Sequence, residues 1–187
     1  MELKHVSLDS RQIRVLAHPL RARLLGRLRL DGPATATRLA EVLGTNTGAT
    51  SYHLRQLAEA GLVLEEAGAG RGRERWWRAA HDVSSWRRET FAGDPDATAA
   101  SDWLTNFQVS SFVDQMAAWQ RAMPEEPAEW RAAADFSDYF MPLTAAQLAE
   151  LVKELDAVIE RHRPANPAAD ARQVRLYLAA VPRVDRP

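Results

Sequence analysis

Apolar residues recur every three or four positions through most of the first 60 residues, which is the spacing of helices that bury one face. Four helices are predicted on this basis, covering residues 10–17, 19–30, 37–43 and 46–60. Asp9 or Ser10 can cap the first, and Pro19 stands at a first helical position, where proline is favourable. Thr37 is the predicted cap of the third helix.

The fourth helix has two different faces. Asn46 is a good N-cap, and Gly61 stands where a helix needs a residue that tolerates left-handed dihedral angles. An inward stripe is formed by Thr50, Leu54, Leu57 and Ala58. The opposite face carries hydroxyl, amide and guanidinium groups and consists of Thr47, Gly48, Ser51, Tyr52, Arg55 and Gln56. Such groups hydrogen-bond base edges and phosphates when a helix lies in the major groove.

The third and fourth helices are joined by a short turn at Gly44-Thr45. Two helices joined in this way are typical of a helix-turn-helix, in which the second helix reads DNA. The same spacing also fits a plain helical hairpin of a protein core.

A β-hairpin is predicted next, with strands at residues 62–66 and 73–79 around the glycine-rich stretch 67–72. Its tip and returning strand carry Arg71, Arg73, Arg75 and Arg78. Beside a reading helix, such a hairpin is a wing whose arginines reach a phosphate or the minor groove. The alternative is an ordinary solvated hairpin.

The second half of the chain has its own pattern. After a break at residues 93–96, a long helix is predicted over 99–123, followed by a strand at 136–141, a capped helix from about Thr144 to His162 and a strand at 174–178. The long helix has a wide apolar surface, which fits a dimer interface, an effector pocket or simply the core. That surface includes Trp103, Phe107, Phe112, Met116 and Trp119.

These elements predict an α+β fold that is mainly α: a winged helix-turn-helix domain over 1–81, a linker over 82–98 and a C-terminal dimerisation or effector module over 99–187. Charge agrees with this division, because residues 1–80 carry 13 Lys and Arg against 8 Asp and Glu, whereas residues 81–187 carry 11 against 17. A basic front half and an acidic back half fit a nucleic-acid-binding domain joined to a different module.

Several functions are disfavoured by what the sequence lacks. It has no cysteine, no transmembrane-length apolar run and no signal-peptide core, so a cytoplasmic protein without membrane attachment is expected. No hydrolase, zinc-protease or nucleotide-binding motif occurs, so no catalytic residues, cofactor or enzyme activity are expected. The five histidines never fall at metal-ligand spacing, so no metal site is expected.

Residues from about Ser10 to Ala80 resemble the winged helix-turn-helix domain of ArsR-like transcriptional regulators. The resemblance lies in the segments 16–21, 39–44, 51–63 and 70–77, in that order. It implies a homodimer that binds double-stranded DNA, with the helix 46–60 in the major groove and the wing alongside. The absence of thiolates and of paired ligands departs from the metal-sensing members.

The DNA-binding candidates are Thr45, Asn46, Thr47, Gly48, Ser51, Tyr52, His53, Arg55, Gln56, Arg71, Arg73 and Arg75. His53 matches a histidine on the buried side of the family's reading helix, where packing or hydrogen bonding is its expected role. The alternative function is a winged-helix module that binds proteins rather than DNA. A small-molecule effector acting through the C-terminal module is a further hypothesis.

Overall fold

The computed structural model of the protein describes residues 4–66, 75–162, 164 and 168–184, and these separate into two compact units. The first lies within residues 4–111 and the second within residues 112–184.

The helices of the first unit follow the predicted pattern. They are α1 (Ser10–Leu16), α2 (Pro19–Leu30), α3 (Ala36–Leu43), α4 (Thr47–Glu59) and the first part of α5 (Pro95–Ala122). The side chain of Asp9 accepts a hydrogen bond from the Gln12 amide at 2.7 Å and caps α1, while Pro19 opens α2 as predicted. The predicted α+β, mainly α, fold class is confirmed.

The predicted cap of α3 is wrong. The helix begins at Ala36, and the hydroxyl of Thr35 accepts a hydrogen bond from the Arg38 amide at 3.3 Å. Thr35 ends a short strand and has the extended dihedral angles that a cap requires, whereas Thr37 already lies inside the helix.

Five short strands complete the unit: β1 (His5–Ser7), β2 (Ala34–Thr35), β3 (Val63–Glu66), β4 (Trp76–Ala79) and β5 (Val83–Ser85). β4 lies between β2 and β3 in an antiparallel sheet, and β1 pairs with β5 in parallel. β3 and β4 are the two sides of the predicted wing. Residues 67–74, which include the predicted tip of the wing, lie outside the described residues.

The core of the first unit surrounds α4. The side chains of Leu54 and Leu57 are completely buried, and α4 packs against α2 and α3. Burial of a leucine contributes about 1.5–3 kcal/mol relative to exposure. The same exposure of 0% is found for the aliphatic side chains of Ile13, Leu24, Leu62, Val63 and Ala97.

A polar cluster ties the end of the wing to α2. Arg29 of α2 donates one hydrogen bond to the carbonyl of His81 at 3.2 Å and another to the hydroxyl of Ser84 at 2.6 Å. Ring nitrogen Nε2 of His81 lies 2.9 Å from the same hydroxyl. Burial lowers the pKa of Arg29 to about 10, so this side chain keeps its charge at neutral pH.

Residues 82–111 pack with the helix-turn-helix, which differs from the predicted linker over 82–98. Phe91 is 1% exposed and joins the core together with Ala97 and Leu104 of α5. Arg14 of α1 forms an ion pair with Asp94, whose carboxylate also accepts from the Ala97 amide at 2.9 Å. Those two contacts hold the start of α5 against α1.

The second unit holds the end of α5 together with α6 (Ala128–Ala133) and α7 (Ala145–Arg161). Thr144 and Gln147 form the predicted capping box of α7. The strands predicted at 136–141 and 174–178 are not formed, because neither segment is paired with another strand among the described residues. No described helix is long and apolar enough to cross a membrane.

Replacing Phe91 by alanine tests whether residues 82–111 share one core with α4. Because the ring is almost fully buried, Phe91→Ala should lower the free energy of unfolding by about 3–5 kcal/mol, measured by urea denaturation. Glu89 is exposed and serves as the matched control, since Glu89→Ala should change the free energy of unfolding by less than about 0.5 kcal/mol. Equal stability of the two variants would contradict the shared core.

His81 makes stability depend on pH. Burial, with the nearby charge of Arg29, lowers its pKa from 6.5 to about 4, so the folded state binds fewer protons than the unfolded state in this range. The free energy of unfolding should therefore fall by up to about 3 kcal/mol as the pH drops from 7 to 4. His81→Gln should flatten this dependence in pH-dependent urea melts, and a His81→Gln variant that keeps the wild-type slope would contradict the role given to this histidine.

Candidate nucleic-acid interface

One face of α4 is open to solvent and carries the polar residues predicted from the sequence. Thr47, Gly48 and Arg55 are exposed, and Tyr52 is 52% exposed. Ser51 and Gln56 are partly exposed beside them. The opposite face is the buried stripe, so these polar groups project away from the core.

The turn before α4 fixes where the helix begins. Gly44 ends α3 with a φ of 63°, a left-handed conformation that favours glycine, and the Thr45 amide donates to the Ala40 carbonyl at 2.9 Å. Asn46 then caps α4 by accepting from the Ala49 amide at 2.8 Å, as predicted. The first turn of α4 therefore presents free backbone amides at an exposed helix N-terminus.

Two long side chains of the exposed face are held along the helix. The Arg55 guanidinium donates to the Ser51 carbonyl at 3.2 Å, one turn earlier. The Gln56 amide group donates to the Glu59 carboxylate at 3.1 Å. Both contacts are exposed, so a ligand can replace them at small cost.

His53 differs from the other candidates because it faces inward. Its ring lies 4.4 Å from the ring of His18, between centroids, and 5.2 Å from that of Tyr52. Its Nδ1 atom is buried and makes no hydrogen bond. Burial, reinforced by His18 and Arg21, lowers the pKa of His53, so the ring is neutral at pH 7. The sequence separates His18 and His53 by 35 residues and gave no sign of this contact.

The arginines of the described wing residues are paired with acids. Arg75 lies 3.2 Å from the Glu65 carboxylate and 5.9 Å from the centre of the Trp77 ring. Arg78 lies 2.6 Å from the Glu66 carboxylate. Arg71 and Arg73 lie outside the described residues.

Glu65 and Glu66 are the acidic neighbours of these arginines, and they are not among the residues predicted for the interface. They alternate along β3, and the hairpin register sets Glu65 opposite Trp77 and Glu66 opposite Trp76, diagonal to Arg75 and Arg78 respectively. Pairing the two predicted strands residue by residue would have revealed them.

The five apolar candidates of α5 are divided between the two units. Trp103 and Phe107 stack at 5.2 Å and pack on the first unit's core. Phe112, Met116 and Trp119 belong to the second unit. The first unit has an open groove of about 540 Å³, which is lined by Trp86, Arg88, Ser101, Asp102, Thr105 and Asn106. None of the five apolar candidates lines this groove, so the small-molecule effector stays a prediction.

Among the described residues, no group of three or more potential His, Asp or Glu ligands is placed to hold a metal ion. His18 and His53 lie together without a third ligand.

Comparison with protein families supports this description of the first unit. Residues 16–66 match the family model of a helix-turn-helix domain, a span that runs from the end of α1 to the end of β3. The sequence matches no curated protein.

The solved structures to which this chain is similar include three that are described as regulators or possible regulators of transcription. One is the homodimeric winged helix-turn-helix DNA-binding domain of Mb0332 from Mycobacterium bovis, a "possible ArsR-family transcriptional regulator", with 21% identity over 56% of this chain and 76% of that chain and a TM-score of 0.35. A "possible transcriptional regulator for arsenical resistance" is 31% identical over 57% of this chain and 93% of its own, with a TM-score of 0.33. The transcriptional regulator Tm0710 from Thermotoga maritima is 12% identical over 82% of this chain and 86% of its own, with a TM-score of 0.32.

Proposed function

Because the first unit of this chain is a winged helix-turn-helix domain that resembles those of ArsR-like transcriptional regulators, we propose that the protein binds specific sites on double-stranded DNA as a homodimer. The observation that carries this proposal is the exposed polar face of α4, which lies opposite the buried side chains of Thr50, Leu54 and Leu57. A rigid helix with such a face has the size and the chemistry to enter the major groove.

In this proposal the residues of α4 divide into two roles. Thr47, Ser51, Tyr52 and Gln56 face base edges, where hydroxyl and amide groups discriminate between base pairs. The Arg55 guanidinium binds a phosphate, and its hydrogen bond to the Ser51 carbonyl is replaced by a charge-assisted hydrogen bond to that phosphate. Gly48 has no side chain, and the free amides of the first turn favour a second phosphate at the helix N-terminus.

The wing supplies further phosphate contacts in the proposal. Arg75, with Arg71 of the predicted tip and Arg73 of the predicted returning strand, lies beside the backbone or the minor groove. Two copies of the domain then place their α4 helices in successive major grooves, so half-sites are spaced by about 10 base pairs or a multiple of this.

Selection of bound fragments from a genomic library, followed by affinity measurements at several salt concentrations, tests the function. Arg55→Ala should weaken binding roughly tenfold or more and lower the salt slope by about two for a dimer. Arg161→Ala, at an exposed arginine of α7, is the matched control and should leave both unchanged. Absence of DNA binding at moderate salt would instead favour the protein-interaction module.

Glu65 should limit DNA affinity by holding Arg75. Because both side chains are more than half exposed, the ion pair between Glu65 and Arg75 adds less than about 1 kcal/mol to the free energy of unfolding. The Glu65 carboxylate nevertheless repels a DNA phosphate and competes with it for the Arg75 guanidinium. Glu65→Gln should therefore raise DNA affinity about three- to tenfold at low salt without changing the urea midpoint. Glu154→Gln on α7 controls for net charge, and an unchanged or lower affinity of Glu65→Gln would contradict the role given to Arg75.

A further inference from the structure

Three aromatic rings connect α2 with the exposed face of α4. His18, the N-cap of α2, lies 4.4 Å from His53 of α4, measured between ring centroids, and the His53 ring lies 5.2 Å from that of Tyr52. The planes of the first two rings are tilted by 36°, and the Tyr52 contact is edge-on at 72°. Because Tyr52 is 52% exposed, this row of rings leads from the supporting helix to the surface of the candidate interface.

His18 is held in place from three directions. Its backbone amide donates to the Leu16 carbonyl at 2.7 Å, and its Nδ1 atom accepts from the Leu20 amide at 3.1 Å. Its backbone has the extended conformation that a residue before proline prefers, and Pro19 begins α2. A ring held in this way is a firm support for the two rings that follow it.

The hydrogen bonds of the two histidines suit neutral rings. Because Nδ1 of His18 accepts a hydrogen bond, the proton of the neutral ring is on Nε2, and a second proton on Nδ1 would face the Leu20 amide and break the cap. Nδ1 of His53 is buried and has no hydrogen-bond partner among the described residues, so a proton there would be a buried donor without an acceptor. The geometry therefore disfavours a positive charge on either ring.

The charges around the two histidines act in the same direction. The charged and titratable groups that face them are Arg21, whose guanidinium donates to the Val15 carbonyl, and Tyr52. Burial and Arg21 lower the pKa of His18, and burial, His18 and Arg21 lower the pKa of His53. Among the described residues, no carboxylate of the packed elements α1, α3, β3 and β4 offsets these effects. Two charged rings at this distance would repel each other.

We propose that His18 is a positioning residue of the DNA-binding site: its neutral ring supports His53, and His53 orients Tyr52 towards the base edges. The inference rests on the proposed function, in which Tyr52 faces base edges, and adds a residue outside α4 that does not touch DNA itself. Loss of the His18 ring, or a positive charge on the two histidines, releases the Tyr52 ring. Since base edges carry the sequence information, affinity for a specific site should fall more than affinity for unrelated DNA.

Two substitutions separate the ring of His18 from its role as a helix cap. His18→Asn keeps an acceptor for the Leu20 amide but removes the ring, so its urea midpoint should stay close to that of the wild type while specific DNA binding weakens about three- to tenfold, the contribution of one aromatic pair. His18→Phe keeps a ring but removes the cap, so it should lower the urea midpoint and retain the wild-type affinity at pH 7.5. Affinity that follows the cap rather than the ring would overturn the proposal.

A pH series gives a readout that the capping role alone would not change. The oriented rings bind fewer protons than the released rings, so the orientation is complete above the ordinary histidine pKa of 6.5 and is lost as the pH falls through the lowered values. The ratio of specific to non-specific affinity of the wild type, measured by fluorescence anisotropy, should therefore fall about threefold or more between pH 7.5 and 5. His18→Phe should show a weaker dependence, because only His53 can then be charged. An equal dependence of the two proteins, or none in the wild type, would contradict the inference.

NMR spectroscopy of the DNA-free protein separates this inference from the proposed function. The ring signal of Tyr52, assigned by its loss in Tyr52→Phe, should shift with the same pH midpoint as the ring signal of His53, and His18→Asn should move both. Tyr139, which is 76% exposed in the second unit, is the matched control and should not shift in this range. Coupled shifts in a protein that binds no DNA would refute the proposed function alone. Uncoupled shifts in a protein that binds specific DNA sites would refute this inference alone.

Discussion

Burial of one face of α4 determines the position of every group in the candidate interface. Leu54, Leu57 and Thr50 are completely buried, and the Thr50 hydroxyl is satisfied by donating to the Asn46 carbonyl at 3.0 Å. Turning the helix by one residue would bury the Arg55 side of the helix and expose two leucines, at a cost of several kcal/mol. The outward face of α4 is therefore fixed by the core beneath it, which is why a static arrangement of polar groups can serve as a reading surface.

The parts of the fold that follow from local chemistry were predictable. Pro19 and Asn46 mark helix starts because a helix N-terminus needs particular residue types within a few positions. Local chemistry could not decide whether Thr35 or Thr37 caps α3, because the start of this helix depends on the pairing of β2 with the distant residues Trp76 and Trp77. Attachment of residues 82–111 to the first unit likewise depends on Arg29 and the buried Phe91.

The candidate site shows the same division. The polarity of the α4 face can be taken from the sequence, because helical spacing alone sorts its residues. The contact of His18 with His53 and the pairing of Glu65 with Arg75 arise only when separate elements meet. The strands predicted at 136–141 and 174–178 failed for a related reason, since a strand needs a partner backbone as well as a suitable pattern.

The cluster of Arg29, His81 and Ser84 links two parts of the first unit. It holds the end of the hairpin to α2, the helix that also packs against α4, so the hairpin and α4 share one support. In the proposed dimer on DNA, regulation then acts through the spacing and tilt of the two domains, because the hairpin and α4 of each domain are held to the same helix.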